Sequence, residues 1–281
     1  MSKRIDTTIL ICPKCKRQKL DFHDDHIRCE YCKTSYQRTE EKYFFVRSSG
    51  DDVTDPFDRL KHIFKKYHRL YTFLIYLISP VYSNRHLKKF IKKHITANTL
   101  AINLGSGNSN LSEEIINIDL FPYPNVDMTC DIHRLPFRSG SLDIIINLAV
   151  LEHLPDPDLV VEEIYRVLKS GGLVYTFFPF IQGFHASPHD YSRRTEAGLA
   201  HLFRKFDIVE TAVGGGPTSG FLWIFQEWLA LLLSFGIKPL HLFLNICLML
   251  ITFPLKFLDI LLARYPLAKN ISSGFIIVAK K

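Results

Sequence analysis

Four short apolar segments decide the fold class: TLAINLGSG at 99–107, IINIDL at 115–120, VDMTCDI at 126–132 and SLDIIINLAV at 141–150. Each is rich in apolar and β-branched residues, which is typical of a buried strand, and the first runs into a glycine turn. The helical segment DLVVEEIYRVLKS follows, and GGLVYTFFPF, FDIVETAV and GFIIVAKK are three further strands. This alternation predicts a doubly wound α/β fold around a seven-stranded, mostly parallel sheet.

The first two connections between these strands are unusually short. Fourteen positions separate Gly105 from Asp119, and twelve separate Asp119 from Asp131. A parallel crossover usually needs a dozen or more residues including its helix. We therefore expect the first two crossovers to be reduced to a turn of helix or less.

Glycines and polar residues cluster where the first four strands end. In such a sheet a ligand binds at the carboxyl ends of the strands, where the strand order reverses. Glycine lets the backbone approach a ligand closely, and a carboxylate at the end of the second strand can accept hydrogen bonds from ribose hydroxyls. The predicted nucleoside-binding residues, in chain order, are Asn103, Gly105, Gly107, Asp119, Asp131, Ile132 and Asn147.

The order NLGSG, NID, CDIHRLPF, LDIIINLAVLEHLPDP and EIYRVLKSGGLVY resembles the motifs of class I S-adenosylmethionine-dependent methyltransferases of the ubiquinone-biosynthesis type. The resemblance covers about residues 99–213 and the last strand. It implies S-adenosylmethionine as cofactor, with both glycines beside its methionine portion, Asp119 on the ribose, and Asp131 with Ile132 on the adenine. The stretch HASPHDYSRRTEAGLAHLF is similar to a subgroup met among glycan-modifying methyltransferases.

Candidate catalytic groups follow the fourth and fifth strands. Methyl transfer from a sulfonium needs donor and acceptor held in line, and needs a base only if the acceptor must lose a proton. We predict that His189 is the base, oriented by the adjacent Asp190, and that His153 is a second candidate. Arg193 and Arg194 could bind anionic oxygens of a substrate. The alternative is that these segments only form a turn and a lid.

Residues 1–47 contain two C-x-x-C pairs separated by thirteen residues. This spacing predicts a zinc ribbon in which Cys12, Cys15, Cys29 and Cys32 hold one structural Zn²⁺ ion in a closed tetrahedral site. Neither pair resembles a redox motif, because no thioredoxin-like βα unit surrounds it. The remaining cysteines, Cys130 and Cys247, lie in apolar runs and are expected to be core residues.

Residues 48–97 are basic, with apolar residues at helical spacing, and predict amphipathic helices. The chain carries a net charge of +7, which favours acidic partners such as an anionic membrane surface, nucleic acid or a phosphorylated substrate. The first residues contain no apolar stretch of signal-peptide length before the cysteines, so a cytoplasmic location is expected. The alternative for the basic helices is a solvated face of a packing helix.

The methyltransferase domain is predicted to span 98–281, with an apolar helical insertion at about 214–273. Within it, residues 239–255 contain no Asp, Glu, Lys or Arg, a length at the lower edge for a helix that spans a membrane. We expect a monotopic hairpin that lies in one leaflet, with basic and Trp residues near the headgroups. A spanning pair, or a cap packed on the protein or on a second subunit, are the alternatives.

The leading functional hypothesis is a cytoplasmic, membrane-associated methyltransferase that acts on a lipid-linked or glycan-type acceptor. A second is an RNA methyltransferase that recognises its substrate through the zinc ribbon. A third is a non-catalytic nucleotide-binding scaffold. The sequence sets neither the methylated atom nor the oligomeric state.

Overall fold

The structure is a computed structural model that describes residues 5–46, 85–185 and 189–281. Of the predicted basic helices, residues 47–84 lie outside the described residues. The remaining one is helix α1 (Arg85–His94), which buries Leu87 and Phe90 and exposes its lysines to solvent, as its apolar spacing predicts.

Seven strands form the predicted α/β sheet, in the spatial order β7-β6-β5-β8-β9-β11-β10. Only β11 runs antiparallel to its neighbours in this part of the sheet. The bounds are β5 Ala101–Leu104, β6 Ile115–Asp119, β7 Met128–Thr129, β8 Leu142–Leu148, β9 Leu168–Pro179, β10 Asp207–Gly215 and β11 Gly274–Lys280. Strands β6 and β7 lie on one side of β5, and β8 lies on its other side. The strand order therefore reverses between β5 and β8.

The first two crossovers are loops. Residues 105–114 and 120–127, all within the described part of the chain, contain no helix. This confirms the expectation from the short spacing. Strand β7 is shorter than predicted, because Ile132–Arg134 already turns into a 3-10 helix that begins at the capping residue Asp131.

Helices cover both faces of the sheet. On one face, α2 (Pro157–Val167) and α3 (Glu196–Leu202) bury apolar residues against the strands in the larger core. On the other face, α1 packs Phe90 against Tyr175 of β9, with ring centroids 5.0 Å apart. The arrangement is therefore doubly wound, and it holds the carboxyl ends of β5, β6, β7 and β8 together at one edge.

The cysteine-rich segment is continuous with this sheet. Its strands are β1 Leu20–Phe22, β2 His26–Cys29, β3 Ser35–Arg38 and β4 Tyr43–Phe44. They form an antiparallel meander, and β4 pairs in parallel with β7. The predicted seven strands are thus extended by four more into one eleven-stranded sheet.

The predicted insertion between the last two strands is helical. It contains α4 (Pro217–Ser234), α5 (Lys238–Thr252) and α6 (Asp259–Leu262), with 3-10 turns at Phe253–Leu258 and Pro266–Asn270. The buried carboxylate of Asp259 accepts hydrogen bonds from the backbone N–H groups of Thr218 and Ser219 and so caps the first turn of α4. This contact ties the end of the insertion to its beginning.

Candidate active site

A cavity of about 400 Å³ opens at the carboxyl ends of β5 to β8, where the strand order reverses. Five of the predicted cofactor residues line it: Gly105, Gly107, Asp119, Asp131 and Ile132. The catalytic candidate His153 also lies on its wall. The sheet edge, the glycine loop and both aspartates therefore meet at a single cleft of a size that suits a nucleoside-containing ligand.

Two glycines form the turn that follows β5. Gly105 has φ +63°, and a Cβ atom placed there would lie 2.5 Å from Cγ2 of Val150. Gly107 has φ +54°, but a Cβ at this position would meet no atom within 4 Å. Gly105 is therefore required by packing and backbone geometry, whereas Gly107 leaves open space beside the cavity.

Asp119 organises this turn through its carboxylate. Its Oδ2 atom accepts a hydrogen bond of 2.7 Å from the backbone N–H of Gly107, and Oδ1 accepts one of 3.0 Å from Phe121. The residue is largely buried at the cavity wall. An acceptor fixed in this way is preorganised for a pair of hydroxyl donors, as the resemblance implies for a ribose.

Asp131 caps the 3-10 helix Ile132–Arg134. Its Oδ1 accepts hydrogen bonds from the backbone N–H of His133 at 2.9 Å and from the ring Nδ1 of His133 at 2.8 Å. About half of its side chain stays exposed. The carboxylate can therefore face a ligand at the third strand end, beside Ile132.

Two predicted cofactor residues lie outside the cavity lining. Asn103 is buried and donates through Nδ2 to Oδ1 of Asn117 at 3.3 Å, which joins β5 to β6. Asn147 is also buried, and neither polar atom of its side chain has a hydrogen-bond partner among the described residues. Both residues sit inside the strands, so the structure places them behind the cleft and not in its wall.

The sequence prediction missed several wall residues. They are Leu120, Phe121, Tyr123, Cys130, His133, Ala149, Val150 and Leu154. The aromatic residues of the FPYP segment directly after the second strand were the available signal, since rings next to a ribose-binding carboxylate can cover an adenine face. Cys130, predicted as a core residue, is indeed fully buried, and burial raises the pKa of its thiol.

The three catalytic candidates lie close together, but not in the expected arrangement. His153 approaches the backbone carbonyl of His189 with Nδ1 at 2.5 Å. The imidazole of His189 itself is exposed and lies against the ring of Tyr191. The Asp190 carboxylate instead contacts Arg193 and the backbone N–H of His185, so a different pairing replaces the predicted orientation of His189 by Asp190.

Asp190 forms an ion pair with Arg193, with Oδ2 2.6 Å from Nη2. Oδ2 also accepts a hydrogen bond of 2.9 Å from the backbone N–H of His185. The hydrogen bond from Arg193 lowers the pKa of Asp190 to about 2. Arg193 further donates to the carbonyl of Gly183 at 3.0 Å. These contacts fix the loop after β9 and occupy the guanidinium that we expected to bind substrate.

The four predicted zinc ligands converge. Sγ of Cys12 lies 3.6 Å from that of Cys32, and Sγ of Cys15 lies 3.6 Å from that of Cys29. Thiolates at about 2.3 Å from one tetrahedral ion would be about 3.8 Å apart. Burial raises the pKa of the Cys12 thiol.

Both cysteine turns have the same backbone geometry. The N–H of Lys16 donates to the carbonyl of Cys12 at 2.8 Å, and the N–H of Lys33 donates to that of Cys29 at 3.0 Å. Each lysine has φ +59°. Two matching turns that point four sulfur atoms at one centre fit a tetrahedral metal ion of the kind that structural zinc sites hold.

Part of the chain is similar to known proteins. Residues 87–176 match the family described as "Methyltransferase domain". A probable S-adenosylmethionine-dependent methyltransferase of Mycolicibacterium smegmatis is 38% identical over 58 residues, which are 20% of this chain and 23% of that protein. An uncharacterized chloroplastic methyltransferase of Arabidopsis thaliana is 32% identical over 114 residues, 34% of this chain and 32% of that protein.

Among solved structures, phosphoethanolamine N-methyltransferase 2 of Haemonchus contortus in complex with S-adenosylmethionine aligns with a TM-score of 0.43 at 15% identity. The alignment covers 71% of this chain and 53% of that one. The chain spans about a quarter to a third of the length of the two curated relatives above.

The family match covers α1, the glycine turn, both aspartates and the strands up to the middle of β9. This part of the Rossmann-like sheet is therefore similar to a methyltransferase domain.

Proposed function

We propose that the protein transfers a methyl group from S-adenosylmethionine, bound in the 400 Å³ cavity, to a lipid-linked or glycan-type acceptor at a membrane. The observation that carries the first part is the convergence of Gly107, Asp119 and Asp131 on that cavity. We propose that it lies on the cytoplasmic side as a peripheral or monotopic membrane protein.

The exposed surface of the insertion supports membrane association. Phe235 at the hairpin tip is 87% exposed, and Leu232 and Phe243 next to it are more than half exposed. One helical stretch in the described residues, Lys238–Leu262, is long and apolar enough to cross a membrane by length and composition. Monomeric soluble proteins rarely leave an apolar surface of this extent in water, and an apolar hairpin of this kind suits the interior of a leaflet.

The insertion also lies beside the candidate active site. The ring of Trp223 on α4 lies 5.8 Å from that of His185 in the loop after β9. A hairpin seated in the leaflet would therefore hold this loop near the headgroups. Such a position raises the effective concentration of an acceptor that is tethered to lipid, and is of little use for a freely soluble one.

The cysteine cluster is proposed to hold one structural Zn²⁺ ion. Lys16, which follows Cys15, forms an ion pair of 2.6 Å with Glu163 on α2. A metal that orders the cysteine turn would also order this contact and the β4–β7 pairing. The ion would support the fold and leave no open position for chemistry.

Vesicle flotation tests the membrane assignment. A triple variant, Leu232→Ser, Phe235→Ser and Phe243→Ser, changes exposed side chains without emptying the core. At about 1.5 kcal/mol per side chain, it should lower membrane partition about a thousandfold. The matched control is Leu159→Ser with Val209→Ser, which changes side chains of similar exposure away from the insertion.

We expect wild type and control to float with anionic vesicles, and the triple variant to stay behind with unchanged cofactor binding. Methylation of a lipid-linked acceptor should fall together with flotation. A triple variant that floats like wild type contradicts the membrane assignment. Binding of the protein to RNA but not to vesicles would favour the RNA methyltransferase hypothesis instead.

A further inference from the structure

A buried carboxylate, Glu152, adjoins His153 of the cavity wall in the chain. Glu152 is 0% exposed, and among the described residues neither of its carboxylate oxygens has a hydrogen-bond partner. Removing an ionised carboxylate from water without compensation is strongly unfavourable. A cation bound beside Glu152, or protonation of a neighbouring imidazole, would offset this cost.

Two imidazoles face this carboxylate. Nε2 of His153 and Nε2 of His185 each lie 3.8 Å from Oε1 of Glu152, which is too long for a hydrogen bond. The three ligand atoms lie within 4.8 Å of one another. Such a triangle has a centre no more than about 2.5 Å from each atom, close to the 2.0–2.2 Å of zinc bonds to His and Glu. Small side-chain rotations would close the remaining gap.

The outer nitrogens of both rings contact backbone carbonyls. Nδ1 of His153 lies 2.5 Å from the carbonyl of His189, and Nδ1 of His185 lies 3.2 Å from that of Gly183. A proton on each Nδ1 leaves the Nε2 lone pair directed at the centre, which is the usual second shell of metal-bound histidines. Nη2 of Arg193 is also 3.2 Å from Nδ1 of His185, but its two hydrogens are donated to the carbonyl of Gly183 and to Oδ2 of Asp190, so Nδ1 need not accept from it.

We propose that Glu152, His153 and His185 bind one divalent transition-metal ion, separate from the cysteine cluster. Two imidazoles and one carboxylate are ligands for Zn²⁺ or Fe²⁺, and three protein ligands leave coordination open. His153 lines the cavity, so an open position adjoins the space for the acceptor. An acceptor oxygen bound there would be held and polarised. This role rests on the proposed methyl transfer, but the binding of the metal ion does not depend on it.

Zinc stoichiometry tests the site. The full-length protein is dialysed against chelator, equilibrated with a buffered excess of Zn²⁺ and counted by mass spectrometry. We expect two ions per chain in wild type, one of them in the cysteine cluster. Glu152→Gln and His185→Ala should each weaken the second ion by at least about a hundredfold. His201→Ala, which removes an exposed histidine on α3, is the matched control and should keep both ions.

Thermal unfolding distinguishes a metal site from a purely structural ion pair. The two predict opposite changes in the melting temperature of metal-free Glu152→Gln. Without metal, Glu152→Gln should melt at the same or a higher temperature than wild type, because the variant removes an uncompensated buried charge. Zn²⁺ should then raise the melting temperature of wild type more than that of the variant. A single ion in wild type, two ions in both variants, or a lower melting temperature of metal-free Glu152→Gln would overturn the proposal. S-adenosylmethionine binding is measured on the same samples. Normal cofactor binding without the second ion would refute only the metal site, whereas absent cofactor binding would refute the proposed function.

Discussion

Gly105→Ala is expected to destabilise the protein through two separate effects. The backbone at this position has φ +63°, and a Cβ there would lie 2.5 and 2.8 Å from the two γ-methyl groups of Val150. The left-handed conformation costs a non-glycine residue about 1–2 kcal/mol. Overpacking against Val150 adds about 1–3 kcal/mol. The free energy of unfolding should therefore fall by about 2–5 kcal/mol.

Gly107→Ala is the matched comparison, because it has a similar φ of +54° and open space at the Cβ position. It should cost only the backbone contribution of about 1–2 kcal/mol. Urea unfolding, with the slope of the transition compared between variants, measures both changes. Combined with Val150→Ala, the Gly105→Ala variant should lose about 1–3 kcal/mol less unfolding free energy than the sum of the two single changes. The Gly107→Ala variant should show no such difference. Equal costs at both glycines, or no coupling to Val150, would refute the packing argument.

Two further predictions concern the cysteine cluster and its contact with the sheet. The double change Cys12→Ser and Cys29→Ser should remove one zinc ion per chain, measured by metal analysis, and unchanged zinc would exclude the cluster as a site. For Glu163, burial would raise the pKa, but hydrogen bonds from Arg166 and Lys16 outweigh it and lower the pKa below its ordinary value. Its stabilisation is thus present at neutral pH and lost as pH falls through the lowered pKa. Glu163→Gln should lower stability at pH 7 and flatten the acid side of the stability profile, and an unchanged profile would contradict this.

The succession of strands along the chain could be predicted from the sequence because each strand has a local signature. Ala101–Leu104 and Leu142–Leu148 are short apolar runs bounded by turns, and both appear in the structure where the pattern places them. The lack of helix in the first two crossovers followed from chain length alone. The pairing of Tyr43–Phe44 with Met128–Thr129 could not be predicted in this way, because it joins two dipeptides distant in the chain. The predicted boundary at residue 47 therefore passes beside a strand of the common sheet.

The cofactor site was more predictable than the catalytic loop. Asp119 is the last residue of β6 and Asp131 follows β7, and parallel strand ends meet at one edge, so backbone topology alone brings them together. Asn103 and Asn147 each lie one residue before the end of their strand and are outside the cavity lining. The partner of Asp190 depended on loop conformation, and a carboxylate can pair with Arg193 three positions away as readily as with its neighbour. Sequence adjacency was a poor guide to side-chain contact there.

Calorimetric titration of S-adenosylmethionine into wild type, Asp119→Ala and Asp127→Ala tests the central claim most directly. The two aspartates each accept a 2.7 Å hydrogen bond from a backbone N–H, at Gly107 and Asn117 respectively. Only Asp119 lines the cavity. We expect wild type to bind the cofactor, Asp119→Ala to lose about 2–3 kcal/mol or roughly a hundredfold in affinity, and Asp127→Ala to bind like wild type. Absence of binding to wild type, or equal losses in both folded variants, would contradict the assignment of this cavity to S-adenosylmethionine.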